Sequence, residues 1–151
     1  MPPFPPAQFA AYANAVHTYV DDVRAAGIQV VESEVRSVSR DGLDIAYLVQ
    51  PLLASESLGH KVLAATKPDP EHPFLVALGQ ATLIASKNVS IDAQVTNWSW
   101  DGSDLTLLDV GTPFLWDTKG VLQFDMTPFL GMIPGPTRRL VTNDLTQLLV
   151  R

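Results

Sequence analysis

The sequence predicts an α+β domain, on three observations. A long stretch near the start repeats apolar residues at helical spacing. Two β-type stretches then flank the turn signal Arg40-Asp41-Gly42. Further on, WSW and LTLL flank Asp101-Gly102, a second hairpin pattern. At 151 residues the chain is one domain by length and long enough to bury a core. A hydrophobic share of 46% against 17% charged residues is that of a globular protein. The net charge of −6 offers no basic face to nucleic acid or to an anionic membrane. With no cysteine, the chain has no disulfide, no Cys-based metal site and no thiol nucleophile. No run of about 18 apolar residues is present, so no membrane span is expected. The opening MPPFPPAQF lacks the basic-then-apolar order of a secretion signal, and a cytoplasmic chain is expected.

Taken in order, residues 1–6 are proline-rich and read as an extended lead-in. A helix is expected over residues 7–26, ended by Gly27. Its apolar stripe is Phe9, Tyr12, Ala13, Val16, Val20 and Val23, with His17 off the stripe and at the surface. Asp21 and Asp22 stand near its C-terminus, where the helix dipole disfavours them, so they are expected in solvent. Residues 28–38 read as one alternating strand. Residues 43–53 are more continuously apolar, as in a central strand buried on both faces, until Pro51 removes a ladder donor. Residues 55–65 fit a short helix with Ser55 as N-cap and His60 at its surface. A proline-punctuated loop leads to a helix over residues 74–86, apolar on nearly every side and therefore expected in mid-core.

The stretch VSIDAQVTNWSWDGSDLTLLDVGTP, residues 89–113, carries the candidate chemistry. Asp92 and Asn97 lie five apart in a loop, with Asn97 at one root of the WSW/LTLL hairpin and Asp109 at the other. Antiparallel strands joined by a short turn bring their roots together. Carboxylates and an amide oxygen gathered there suit a hard cation such as Mg²⁺, which completes its shell with water and phosphate oxygens. Each residue alone also reads as an ordinary cap or turn former. Trp98, Trp100 and Trp116 surround this stretch, and packing at the core and rim is their expected role. Beyond it, a turn at 117–120, a short strand at 121–124, a helical piece at 127–133 and an amphipathic helix from 137 are expected.

This pattern resembles the catalytic core of protein-kinase-like phosphotransferases, nearest the aminoglycoside phosphotransferase and choline kinase branch. The matching residues are Asp92-AQVT-Asn97, the hairpin, and Asp109-Val110-Gly111. The resemblance implies that Asp92 orients the acceptor hydroxyl, and that Asn97 and Asp109 hold the Mg²⁺ bridging the nucleotide phosphates. It also makes residues 49–52 the hinge, with the backbone at Val49, Gln50 and Leu52 binding the adenine of ATP. On this reading residues 1–53 are the remnant of a small lobe and hinge, and residues 54–151 open the large lobe. Ser90 stands where the family usually has His, and Thr96 where it often has Gly. No G-x-G-x-x-G occurs, Lys61, Lys67, Lys87 and Lys119 all follow the hinge candidate, and the first helix has no glutamate. The expectation is therefore a partial kinase-like domain, completed by an N-terminal segment or a second subunit, or else a degenerate relative. Its function would be transfer of phosphoryl from ATP to a small-molecule hydroxyl, with a non-catalytic kinase-like binding or regulatory module as the alternative. A small α+β hydrolase is a weaker third class, since no G-x-S-x-G occurs.

Overall fold

The computed structural model of the chain describes residues 3–85, 89–115, 119 and 121. Strand β1 (Pro3–Phe4) leads into helix α1 (Pro6–Ala25), then β2 (Gln29–Val30), β3 (Glu34–Arg40) and β4 (Leu43–Val49). Helices α2 (Gly59–Ala64) and α3 (Pro73–Ile84) precede the hairpin of β5 (Trp98–Trp100) and β6 (Leu105–Leu107). The strands form two three-stranded sheets, ordered β1-β4-β3 and β2-β6-β5. This is a small α+β domain.

Pro6 starts α1 at the first helical position, where its missing N–H is no loss. At the other end Gly27 takes φ +87°. Its amide donates to Arg24 and the amide of Ile28 to Val23, a Schellman closure that satisfies the last carbonyls. The buried stripe of α1 is Tyr12, Val16, Tyr19, Val20 and Val23, so Tyr19 belongs on it although the sequence reading left it out. His17 is exposed, as expected. The lead-in is more ordered than its prolines suggest. Pro3 and Phe4 pair antiparallel with Ile45 and Asp44, and the Phe4 ring stacks on Tyr12 with centroids 5.0 Å apart.

Four expectations need correction. The strand expected over residues 28–38 is two strands in different sheets. Val31 donates its amide to Leu107, and the Ser33 hydroxyl donates to the Val31 carbonyl, a local bond that ends the ladder. This frees β3 to pair with β4 from Glu34↔Val49 to Arg40↔Leu43. The connecting turn puts Asp41 at φ 53° and Gly42 at φ +76°, the two positive values a type I′ hairpin needs.

Strand β4 is central in its sheet, yet it is not buried on both faces. Asp44 and Ala46 face inward, whereas Leu43, Tyr47 and Val49 are exposed because α1 covers one face only. The helix expected over residues 55–65 is broken at Leu58. Ser55 opens a separate 3-10 turn (Ser55–Ser57) and caps nothing, and Leu58 turns extended to bridge Ser99 beside β5. Helix α3 is not enveloped either. Phe74, Leu78 and Ala81 form one buried stripe, while Val76, Leu83 and Ile84 are exposed among the described residues. The expectations for residues 117–118, 120, 122–124, 127–133 and 137–151, with Trp116, lie outside the described residues.

Candidate functional site

Residues 90–94 run without regular structure into a 3-10 turn (Val95–Asn97), and β5 starts at the next residue. Two bonds fix the shape of this approach. The Asp92 Oδ1 accepts the Gln94 amide at 2.9 Å, an Asx turn, and the Asp92 carbonyl accepts Trp98 Nε1 at 2.8 Å. Trp98 is fully buried, so the loop is anchored through its backbone to the core, and the Asp92 side chain stays half-buried. Close packing helps. Gly59 opens α2 against this turn so tightly that a Cβ there would stand 2.4 Å from the Val95 carbonyl oxygen.

Trp98 pairs with Leu107, and one step further the Leu108 amide donates to the Asn97 carbonyl at 2.8 Å. That extra rung holds the two hairpin roots together, and Asp109 leaves directly after it. Its Oδ1 accepts the Gly111 amide at 2.9 Å, which turns the chain sharply. The hairpin tip is wider than a two-residue turn. Asp101 Oδ1 accepts the Ser103 amide, the Ser103 hydroxyl and the Asp104 amide, and these bonds hold the Asp101 carboxyl below its usual range.

Helix α1 reaches both acid-bearing segments. The Tyr19 hydroxyl donates to the Ser90 carbonyl at 2.8 Å, and the Tyr12 hydroxyl donates to the Gly111 carbonyl at 3.0 Å. Burial pushes both phenols well above their ordinary range, and the Asp109 carboxylate pushes each further. Asp92 adds to the effect at Tyr19. Both carboxylates therefore lie within electrostatic reach of one tyrosine hydroxyl. The structure sets the root residue Asn97 against Leu108, one residue before Asp109, and the loop of Asp92 runs into that root through the 3-10 turn. The Asp109 side chain is exposed and that of Asn97 half-buried.

The hinge candidates lie at the end of β4. Val49 is its last residue and Leu52 is fully exposed, whereas Gln50 is half-buried. The side chain of Gln50 has a part that the sequence reading did not foresee. Its Nε2 donates to the Leu108 carbonyl at 2.7 Å and to Ser33 Oγ at 3.0 Å, tying this linker to the residue before Asp109. The tyrosines were also missed as site residues. Their seven-residue spacing puts them on one helix face, a packing signal that says nothing of what the hydroxyls bond.

Each acid uses Oδ1 on a nearby backbone amide, and among the described residues no bond to its Oδ2 is seen. Two carboxylates and an amide are hard oxygen donors, which fit Mg²⁺ and leave positions for water and phosphate. Among the described residues, no three His, Asp or Glu side chains gather as a metal-binding group, so the amide of Asn97 is needed to make a third protein donor. A pocket of about 420 Å³ opens elsewhere, between the end of α2 and the start of α3, lined by residues including Leu63, Pro68, His72 and Leu75. It takes in none of the candidate residues. Among the described residues no helix is long and apolar enough to cross a membrane.

Neither the curated proteins nor the solved structures give a significant match to the chain. A family model described as a family of unknown function, DUF6206, matches residues 4–136. With nearly its whole length matched, the chain belongs to the DUF6206 family.

Proposed function

We propose that this chain carries the metal- and nucleotide-handling core of an ATP- and Mg²⁺-dependent phosphotransferase acting on a small-molecule hydroxyl. The fold we assign to it is a partial protein-kinase-like one, of the aminoglycoside phosphotransferase and choline kinase type. The element order supports this reading: a helix, an antiparallel strand pair, a linker, two helices, an acid-bearing loop, a hairpin and an Asp-x-Gly turn. One observation carries most of the weight. The Leu108-to-Asn97 rung sets Asp109 one residue from the hairpin root that carries Asn97, and the loop of Asp92 leads directly into that root.

In this scheme Asp92 Oδ2 accepts the hydrogen bond of the acceptor hydroxyl and orients its oxygen for in-line attack on the terminal phosphorus of ATP. It takes the hydroxyl proton as the bond from that phosphorus to the bridging oxygen breaks and ADP leaves. Asn97 Oδ1 and Asp109 Oδ2 hold the cation. A Mg²⁺ held there would supply charge neutralisation at the phosphate oxygens. The backbone of Val49, Gln50 and Leu52 lines the place for adenine. A cytoplasmic location, with its supply of ATP and Mg²⁺, goes with this reading. Calorimetric titration with ATP and Mg²⁺ tests it on the intact protein and on Asp109→Ala. Binding that weakens at least tenfold in the variant is expected, and equal affinity in both, or none in either, sinks the assignment.

A second reading has its own observation. The chain has no Gly-rich loop, no lysine ahead of α2 and no glutamate in α1, the parts that position phosphates in this class of enzyme. A binding or regulatory module of the same fold needs none of them. Nucleotide binding without ATP turnover would favour the module. Turnover would favour the enzyme, with the phosphate clamp supplied by a further segment or a second subunit.

A further inference from the structure

We propose that Tyr12 and Tyr19 are positioning residues: α1 holds the segments of Asp92 and Asp109 at a set separation through two phenol hydroxyls. The inference rests on the metal-site reading above and extends it to a helix that contributes no ligand.

The two contacts mirror one another. Tyr19 grips the carbonyl of Ser90, two residues before Asp92, and Tyr12 grips the carbonyl of Gly111, two residues after Asp109. Neither gripped segment has a strand ladder of its own, since residues 90–94 and 108–112 are irregular. At and just beyond their outer ends the chain is joined by the Ser90 amide donating to the Phe114 carbonyl at 3.3 Å and by the bridge between Val89 and Leu115. A helix is stiffer than either loop. Seven residues of helix set the two tyrosines about 10 Å apart along its axis. Both rings are buried, so their hydroxyls are not free to turn toward water. Phe4 stacked on Tyr12 restrains the more N-terminal of the two. Binding a small hard cation demands close control of its ligands, because Mg²⁺ tolerates little departure from octahedral geometry. Tyr12 holds the segment of the ligand Asp109, while Tyr19 holds that of Asp92, which orients the acceptor. Groups hydrogen-bonded directly to metal ligands typically contribute about 10- to 100-fold to metal affinity, and one that acts through the backbone two residues away is expected at the lower end.

The test uses Tyr12→Phe and Tyr19→Phe, which keep the ring and remove only the hydroxyl, with Val16→Ala as a control. Val16 is buried on the same helix between the two tyrosines. Mn²⁺ binding is read by electron paramagnetic resonance, amide hydrogen exchange by mass spectrometry, and Tm by calorimetry. The expected result is a loss of Mn²⁺ affinity of about tenfold in Tyr12→Phe and a smaller loss in Tyr19→Phe, whose hydroxyl holds the segment of Asp92 rather than that of a ligand. Faster exchange should be confined to residues 89–94 in Tyr19→Phe and to residues 109–112 in Tyr12→Phe. Val16→Ala should lower Tm at least as far with affinity unchanged. Unchanged affinity in Tyr12→Phe, or an equal loss in Val16→Ala, overturns the proposal. If the wild-type protein binds no Mn²⁺, the metal-site reading falls instead. The exchange data then decide whether the hydroxyls hold the two segments at all, and unchanged exchange overturns that too.

Discussion

The two sheets of this domain have the same number of strands and opposite ways of staying together. In β1-β4-β3, the β3–β4 pair runs seven residues a side, and much of one face is exposed. In β2-β6-β5 no strand exceeds three residues, yet Trp98 and Leu107 are fully buried. The longer sheet is a ladder with a partial core. The shorter one is a core with a partial ladder, finished by side chains: Trp98 to Asp92, Gln50 to Leu108, and the two tyrosines to Ser90 and Gly111. The candidate site stands on the second kind of structure. Its geometry follows from packing and long-range side-chain bonds, so core substitutions should reach the site sooner than changes in the longer sheet.

The largest expected effect is at Trp98. Trp98→Ala empties the middle of the short sheet and removes the bond to the Asp92 carbonyl. Such a truncation costs about 3–5 kcal/mol. Tyr47→Ala on the open face of β4 should cost about 1 kcal/mol or less, since that ring is half in water already. Urea unfolding of both variants measures the contrast, and equal losses would erase the distinction between the sheets.

Next in size is the response to alkali, which isolates the tyrosine bonds. Unfolded tyrosine titrates near about pH 10. In the folded chain burial and Asp109 keep both phenols protonated beyond that, so the folded state binds more protons than the unfolded one. The stability they contribute is therefore fully present below about pH 10 and is lost as pH rises through their folded values. The expected slope is a fall of about 1.4 kcal/mol per pH unit for each tyrosine. Denaturant titrations from pH 9 upward should show this fall, flatter by one tyrosine's share in Tyr19→Phe. A slope unchanged by that substitution would show that Tyr19 is not held neutral by the fold.

The difference between the sheets also explains what could be read in advance. The helix spacing of α1, its glycine stop and the Asp41-Gly42 turn are local signals, and each element formed where its residues placed it. The hairpin that sets Asn97 and Asp109 at its two roots was legible for the same reason. Tertiary choices were not. Residues 28–38 have strand character throughout, but which sheet each part joins depends on Leu107, far along the chain. The composition of α3 promised full burial, whereas burial depends on which neighbours are near. At the candidate site, acid spacing was visible in sequence and the hydroxyls from α1 were not. A tyrosine on an apolar stripe carries the same spacing signal as a phenylalanine, and only the fold supplies its acceptor.

The smallest effect bears most directly on how the sheets communicate. Gln50 is half-buried, and its amide bridges Ser33, at the entry to β3, and Leu108, at the exit of β6. Gln50→Ala removes two bonds but lets water reach the freed oxygens, so the expected cost is about 1 kcal/mol. Size alone would not identify the link, because any half-buried truncation costs about as much. Coupling would. Ser33 also donates to Val31, so Ser33→Ala disturbs the same network from the other side. If Gln50 joins the two sheets, the double variant should lose less than the sum of the single losses, by about 0.5 kcal/mol or more. Strict additivity would mean that each sheet meets its end of Gln50 independently. The link from the hinge candidate to the acid-bearing turn would then run through the Leu108 carbonyl alone.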